Sequence, residues 1–282
     1  MSTETTGQSD QKLLSGRFQR IGVFLAIALL GLGHILSTLP EIASPLSDRT
    51  CITGSWKLAL ILTHILIFVL IPIAMNVFYR TLTVLQASNS AIFASQLGLS
   101  LIMVSVASEM GAHVTQCWYY ENEFTMLNFM FYFFLLSAFA LWGDGLAVSN
   151  TRGNRLLNLI FALSLLVVSI LYPLGDITAN SSYKIPIYIA LTLNFTVLVY
   201  RGYKLLGDDL RVLLFPFFSV GVNLFFVFLL QAYGGDPYTD PNVSLNALFH
   251  ILHDLIGTEA GIAIFTVLVY LKGREAAAGS LN

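Results

Sequence analysis

Five histidines, His34, His64, His113, His250 and His253, are all the histidine in a 282-residue chain, and each lies inside a long apolar stretch. Carboxylates accompany them. Glu109 and His113 are spaced i, i+4, which puts both on one helix face, and Ser105 and Cys117 extend that stripe. Further along, His250, His253 and Asp254 stand at i, i+3 and i+4, with Gly257 and Gly261 continuing the face as small residues that permit close helix approach. Glu259 falls about 180° from His250 at about 100° per residue, so on a regular helix it needs a different partner. Neutral imidazole suits zinc, iron, copper or nickel, and a nearby carboxylate can ligate, orient an imidazole or act as a general base. The plainer reading is a set of histidines bonded to neighbouring helices or reaching to the membrane interface.

Positioning these side chains falls to a membrane bundle. The chain is 56% hydrophobic and 11% charged, with a mean hydropathy of +0.76 and a formal net charge of −2. Those values exclude an ordinary soluble domain and a nucleic-acid binder. A hydrocarbon core of about 30 Å needs about 20 apolar residues per crossing. The sequence predicts an all-α polytopic bundle of eight transmembrane helices, near 20–39, 57–79, 91–117, 125–148, 153–173, 185–205, 211–234 and 245–271. Residues 1–19 and 272–282 are read as cytoplasmic tails, disordered at their ends, around one membrane domain spanning 20–271. The first apolar run is longer than the core of a signal peptide and is read as a retained helix.

Charge sets the orientation. With both termini inside, the cytoplasmic face receives Lys12, Arg17, Arg20, Arg80, Arg152, Arg155, Arg201, Lys204, Arg211, Lys272 and Arg274, against Arg49, Lys57 and Lys184 outside. Counted from the outer ends at about 1.5 Å per residue, His113 lies about 6 Å deep, His34 and His250 about 8 Å, His64 about 12 Å and His253 about 14 Å. All five share the outer leaflet. An integral multi-pass protein is implied, whether of a bacterial inner membrane or of a eukaryotic endomembrane or plasma membrane.

Other features are subsidiary. Cys51 and Cys117 both fall on the outer side, where either a disulfide or two free thiols is compatible with the sequence. Asn180-Ser-Ser and Asn242-Val-Ser are outer-loop sequons, relevant only in a eukaryotic secretory pathway. Asp144 is read as paired with Arg152 or Arg155, or hydrated. Trp118, Tyr119 and Tyr120 are read as an outer aromatic belt.

Glu109-Met-Gly-Ala-His113, the acidic Glu121 and Glu123 after it, and His250-Ile-Leu-His253-Asp254 in the last span resemble the signature of the CREST superfamily of membrane hydrolases, which includes alkaline ceramidases and progestin/adiponectin-receptor-type proteins. Glu109 stands where that family has Ser, and the final motif is His-x-x-His-Asp rather than His-x-x-x-His. The resemblance implies a seven-helix core preceded by one added helix, and a zinc ion held by three protein ligands with an open position. Metal ligands would come from His113, His250 and either His253 or Asp254, with His64 and His34 as further candidates. Glu109 or Asp254 would serve as the catalytic base, acting on a membrane lipid amide or ester near the outer leaflet.

Two other classes compete. Histidines on neighbouring helices also serve haem or copper redox proteins, although an electron carrier across the bilayer needs sites in both leaflets and no histidine falls in the inner half. A transporter or receptor would use the same polar groups to line a cavity without chemistry. A retinal protein is disfavoured because Lys272 lies at the end of the last span, leaving no lysine in its interior.

Overall fold

The computed structural model describes residues 54–115, 126–147, 159–171, 184–233, 235–236 and 240–279. The first span near 20–39, with His34, lies outside these residues, as do Cys51, Cys117, Trp118, Tyr119, Tyr120, Glu121, Glu123, Arg152, Arg155 and the Asn180 sequon.

Seven helices stand among the described residues. They are α1 (Gly54–Val84), α2 (Asn89–Thr115), α3 (Met126–Gly145), α4 (Leu159–Leu171), α5 (Lys184–Leu205), α6 and α7. α6 is composite: a 3-10 turn (Leu210–Leu213), one α turn (Leu214–Pro216), a π turn (Phe217–Val222) and an α-helix (Asn223–Tyr233). α7 is likewise built from Val243–Leu252, a π turn over His253–Glu259, and Ala260–Gly279. The only sheet among the described residues is a two-stranded antiparallel pair, β1 (Gly235–Asp236) with β2 (Asp240–Pro241), in the α6–α7 connection.

Five helices, α1, α2, α3, α5 and α7, are long and apolar enough to cross a membrane, while α4 and α6 are shorter apolar helices. The protein is therefore an all-α polytopic membrane bundle. α1 shows how such a helix sorts its residues. Leu58, Leu62, Val69 and Ile73 are exposed on one side, and Leu60, His64, Ile67, Ile71, Ala74 and Phe78 are buried on the other. Both faces are apolar because lipid tails are as apolar as leucine, so burial rather than composition distinguishes them.

Close approach depends on missing side chains. A Cβ on Gly98 would collide with the Trp142 backbone, and one on Gly145 would collide with the Ser95 backbone, so α2 and α3 touch main chain to main chain. Gly257 and Gly261 do the same for α7 against α6: a Cβ on Gly261 would strike the Ser219 hydroxyl, and one on Gly257 would lie 3.2 Å from Asn223 Cβ. Asn223 Nδ2 donates to Thr258 Oγ1 across that contact at 3.2 Å.

An aromatic core ties the bundle together away from the histidines. The Phe215 and Phe265 rings stack at 4.7 Å, and Trp142 lies 5.5 Å from Phe265 and 5.8 Å from Phe215. Phe78 completes it from α1, 5.4 Å from Trp142. Four helices thus meet on one block of buried rings.

Asp144 meets Arg201 of α5, whose guanidinium lies 3.5 Å from Asp144 Oδ1 and donates to the Gly143 carbonyl at 2.9 Å; its expected partners Arg152 and Arg155 lie outside the described residues. Both side chains are largely buried, and sequence proximity could not reveal a partner on another helix. Helix α7 continues through Lys272 to Gly279, so residues 276–279 of the closing stretch expected to be disordered are helical. Arg274, Glu275 and Ala276–Ala278 are strong helix formers, which explains the extension. Ser105 leaves the Glu109 stripe, donating its hydroxyl to the Phe131 carbonyl on α3 at 2.8 Å.

Candidate metal centre

Three helices bring the titratable residues together. His64 comes from α1, Glu109 and His113 from α2, and His250 and Asp254 from α7; all five are buried. Ligand atoms of His64, Glu109, His113 and His250 all lie within 4.8 Å of one another. The imidazole rings surround one point, with centroids 4.5 Å apart for His113 and His250, 5.2 Å for His64 and His113, and 6.1 Å for His64 and His250.

Carboxylates close the cluster. Glu109 Oε2 is 3.7 Å from His64 Nε2, and its Oε1 is 3.8 Å from His250 Nε2. Asp254 Oδ2 lies 3.6 Å from His64 Nε2 and 3.8 Å from His250 Nε2. Those separations exceed hydrogen-bond length. They fall near the edge of a tetrahedron of ligands about 2.0–2.1 Å from a zinc ion, an edge of about 3.3 Å. His64 Nε2, His250 Nε2 and Asp254 Oδ2 are buried and have no hydrogen-bond partner, an expensive state for polar atoms in a membrane interior. A cation at the centre of the cluster would satisfy all of them at once.

Local bonding orients the donors. His64 Nδ1 lies 2.8 Å from the Leu60 carbonyl, and because a carbonyl only accepts, Nδ1 carries the proton and Nε2 presents its lone pair inward. His253 Nδ1 sits 2.8 Å from Asp254 Oδ1, leaving Oδ2 turned to the cluster. His253 is thus placed beside Asp254 and His250, and outside the set formed by His64, Glu109, His113 and His250.

The π turn decides which side of α7 joins the centre. A π turn carries i→i+5 bonds and effectively inserts one residue, rotating the rest of the helix by about 100°. Glu259, which a regular helix would turn away from His250, comes back to within about 80° of it. Instead of facing elsewhere, it is only 3% exposed and lies within Coulombic reach of Asp254 and His64. The glycines of the expected single stripe face α6 instead, while His250 and Asp254 face α1 and α2.

Spacing within a helix pairs Glu109 with His113 and His250 with Asp254; it cannot show that His64 lies between them. A search for titratable side chains also passes over Asn246, which stands one turn before His250 and is fully buried, with neither amide atom bonded. Its i, i+4 spacing from His250 is the signal that marks it.

Buried histidines and carboxylates at one end of a helical membrane bundle define a polytopic membrane protein with a polar intramembrane centre. The sequence model of the family described as seven transmembrane receptor matches residues 56–275, from the first turn of α1 into α7, and the chain belongs to that family. No curated protein and no solved structure matches the chain. Nothing in these comparisons supports the hydrolase superfamily that the short motifs resemble.

Proposed function

We propose that the protein binds a transition metal, zinc by the chemistry of its donors, and uses it to hydrolyse an acyl bond of a membrane lipid. The observation that carries this reading is the set of three imidazoles and Glu109 with ligand atoms within 4.8 Å, built from three helices. Four protein donors around one point suit a single ion better than haem, which brings four equatorial nitrogens of its own and takes two axial ligands. When bound, zinc supplies Lewis acidity that polarises an acyl carbonyl and makes water a better nucleophile.

The chain's own residues divide the remaining work. His64, His113 and His250 are the nitrogen ligands, and Glu109 is a fourth ligand or a base. Asp254 is the better proton acceptor, because His253 holds Oδ1 while Oδ2 faces the donors. Burial in the bundle favours a lipid acyl bond over a soluble substrate.

The family description favours a second reading, in which the same centre binds a ligand and drives a conformational change without chemistry. One experiment separates them. Purified protein is assayed for bound metal and for hydrolysis of matched fluorogenic lipids carrying an amide or an ester. Stoichiometric zinc with turnover that Asp254→Asn abolishes supports the hydrolase. Stoichiometric zinc without turnover on either lipid supports the receptor reading, and protein that binds no transition metal contradicts the hydrolase while leaving a metal-free receptor standing.

A further inference from the structure

Glu259 is the one buried carboxylate of α7 that the proposed chemistry does not use. It sits five residues beyond Asp254, about 7 Å further along the helix axis towards the middle of the span. Its side chain is 3% exposed, and neither carboxyl oxygen has a hydrogen-bond partner. No other acid in the described spans is in that position: Glu109 and Asp254 face imidazoles, and Asp144 faces Arg201.

Among the described residues, the elements packed against it offer it no fixed cation. α6 sets Ser219 and Asn223, both uncharged, against Gly261 and Gly257 on either side of Glu259 in the sequence. Lys57 and Arg80 of α1, Arg211 of α6, and Lys272 and Arg274 of α7 all stand at helix ends. The titratable groups within Coulombic reach of it are Asp254 of α7 and His64 of α1. An ionised carboxylate there would carry a desolvated charge facing a second acid, a cost that a neutral acid avoids.

We propose that Glu259 is a proton-binding site linked to occupancy of the metal centre: neutral in the metal-free protein, it releases its proton when a divalent cation enters the cluster. This rests on the metal-binding half of the reading above, not on hydrolysis. Two positive charges arriving among His64, His250 and Asp254 turn a locally acidic neighbourhood into a cationic one, across a medium that screens poorly. The O–H bond of the Glu259 carboxyl breaks, its electron pair stays on the carboxylate, and the proton leaves to the bulk buffer. Net charge in the bundle interior then changes less than the metal alone would impose. The π turn is the device that makes this linkage, since on a regular helix Glu259 would face away from the ion.

The test counts protons. Metal-free full-length protein in lipid nanodiscs is titrated with zinc chloride in buffers of different ionisation enthalpy, and the protons released per zinc are compared between the wild type, Glu259→Gln and Glu259→Met. Wild type is expected to release more protons than either variant, by up to about one per zinc. In infrared difference spectra, zinc should remove a neutral carboxylic-acid carbonyl band from the wild type and no such band from either variant. The same proton count is expected in choline chloride as in sodium chloride.

Equal proton release in all three proteins, with zinc bound stoichiometrically, overturns the proposal and leaves the metal centre standing. A count that depends on sodium also overturns it, because the carboxylate would then hold a metal cation. Failure of the wild type to bind zinc removes both the linkage and the centre.

Discussion

The bundle contains two buried polar assemblies with opposite characters. At one end, Arg201 reaches from α5 to Asp144 and the Gly143 carbonyl of α3, so that cation, anion and backbone acceptor satisfy one another. At the other, His64, Glu109, His113, His250 and Asp254 gather, with carboxylate-to-imidazole separations of 3.6–3.8 Å that are too long to bond and close enough to share a ligand. Between them lies the ring block of Phe78, Trp142, Phe215 and Phe265. The first assembly pairs a buried cation with a buried anion. The second gathers imidazoles and carboxylates in the arrangement that the proposed metal site requires.

Substitutions should act differently on the two assemblies. The largest effect is expected from His64→Ala or His250→Ala, each removing a ligand and lowering zinc affinity by more than about 100-fold, beyond what loss of an outer-shell partner costs. Equilibrium dialysis against zinc buffers measures this, and melting of the metal-free protein should change little by comparison. Zinc affinity should also fall as pH is lowered, since protons compete for the imidazole nitrogens. Next comes Asp254→Asn, expected to keep zinc while turnover drops by about 10²- to 10⁴-fold, the range for a positioned general base.

The complete assembly answers to stability instead. Asp144→Ala leaves the Arg201 guanidinium buried with its charge partner gone, a loss of about 3–5 kcal/mol readable in denaturant unfolding, with zinc stoichiometry unchanged. If zinc binding fell as steeply as in His250→Ala, the separation of the two assemblies would be wrong. The smallest effect is expected at the exposed Asp209–Arg211 contact at the start of α6, where the Arg211 guanidinium holds the Asp209 carboxyl below its ordinary range. A depressed carboxyl contributes stability above its unfolded pKa, and that contribution disappears as pH falls through the folded value. Solvent screens it, so Arg211→Ala should leave the melting temperature at neutral pH nearly unchanged.

Some of this is legible in the sequence, and the rest is hidden for physical reasons. Apolar runs of membrane length locate α1, α2, α3, α5 and the start of α7 to within a few residues, because lipid imposes the same requirement on every crossing, whereas the polar end of α7 at Gly279 lies beyond the apolar run. Shared depth predicts that the histidines meet, and His64, His113 and His250 do. Depth cannot give helix rotation or neighbours, so it ranks His64 no higher than His253, which stands outside the four-residue set. Glu259 escapes i, i+4 reasoning because that reasoning assumes one helical period, and the π turn over His253–Glu259 changes it locally. Arg201 and Asp144 are hidden by sequence distance alone.

X-ray absorption at the zinc edge of the metal-loaded protein reads the proposed ligand set itself. One zinc per chain is expected, with nitrogen and oxygen ligands at about 2.0–2.1 Å, scattering from three imidazoles, and one imidazole fewer in His250→Ala. Zinc bound without imidazole scattering, or a ligand shell unchanged by His250→Ala, would contradict it.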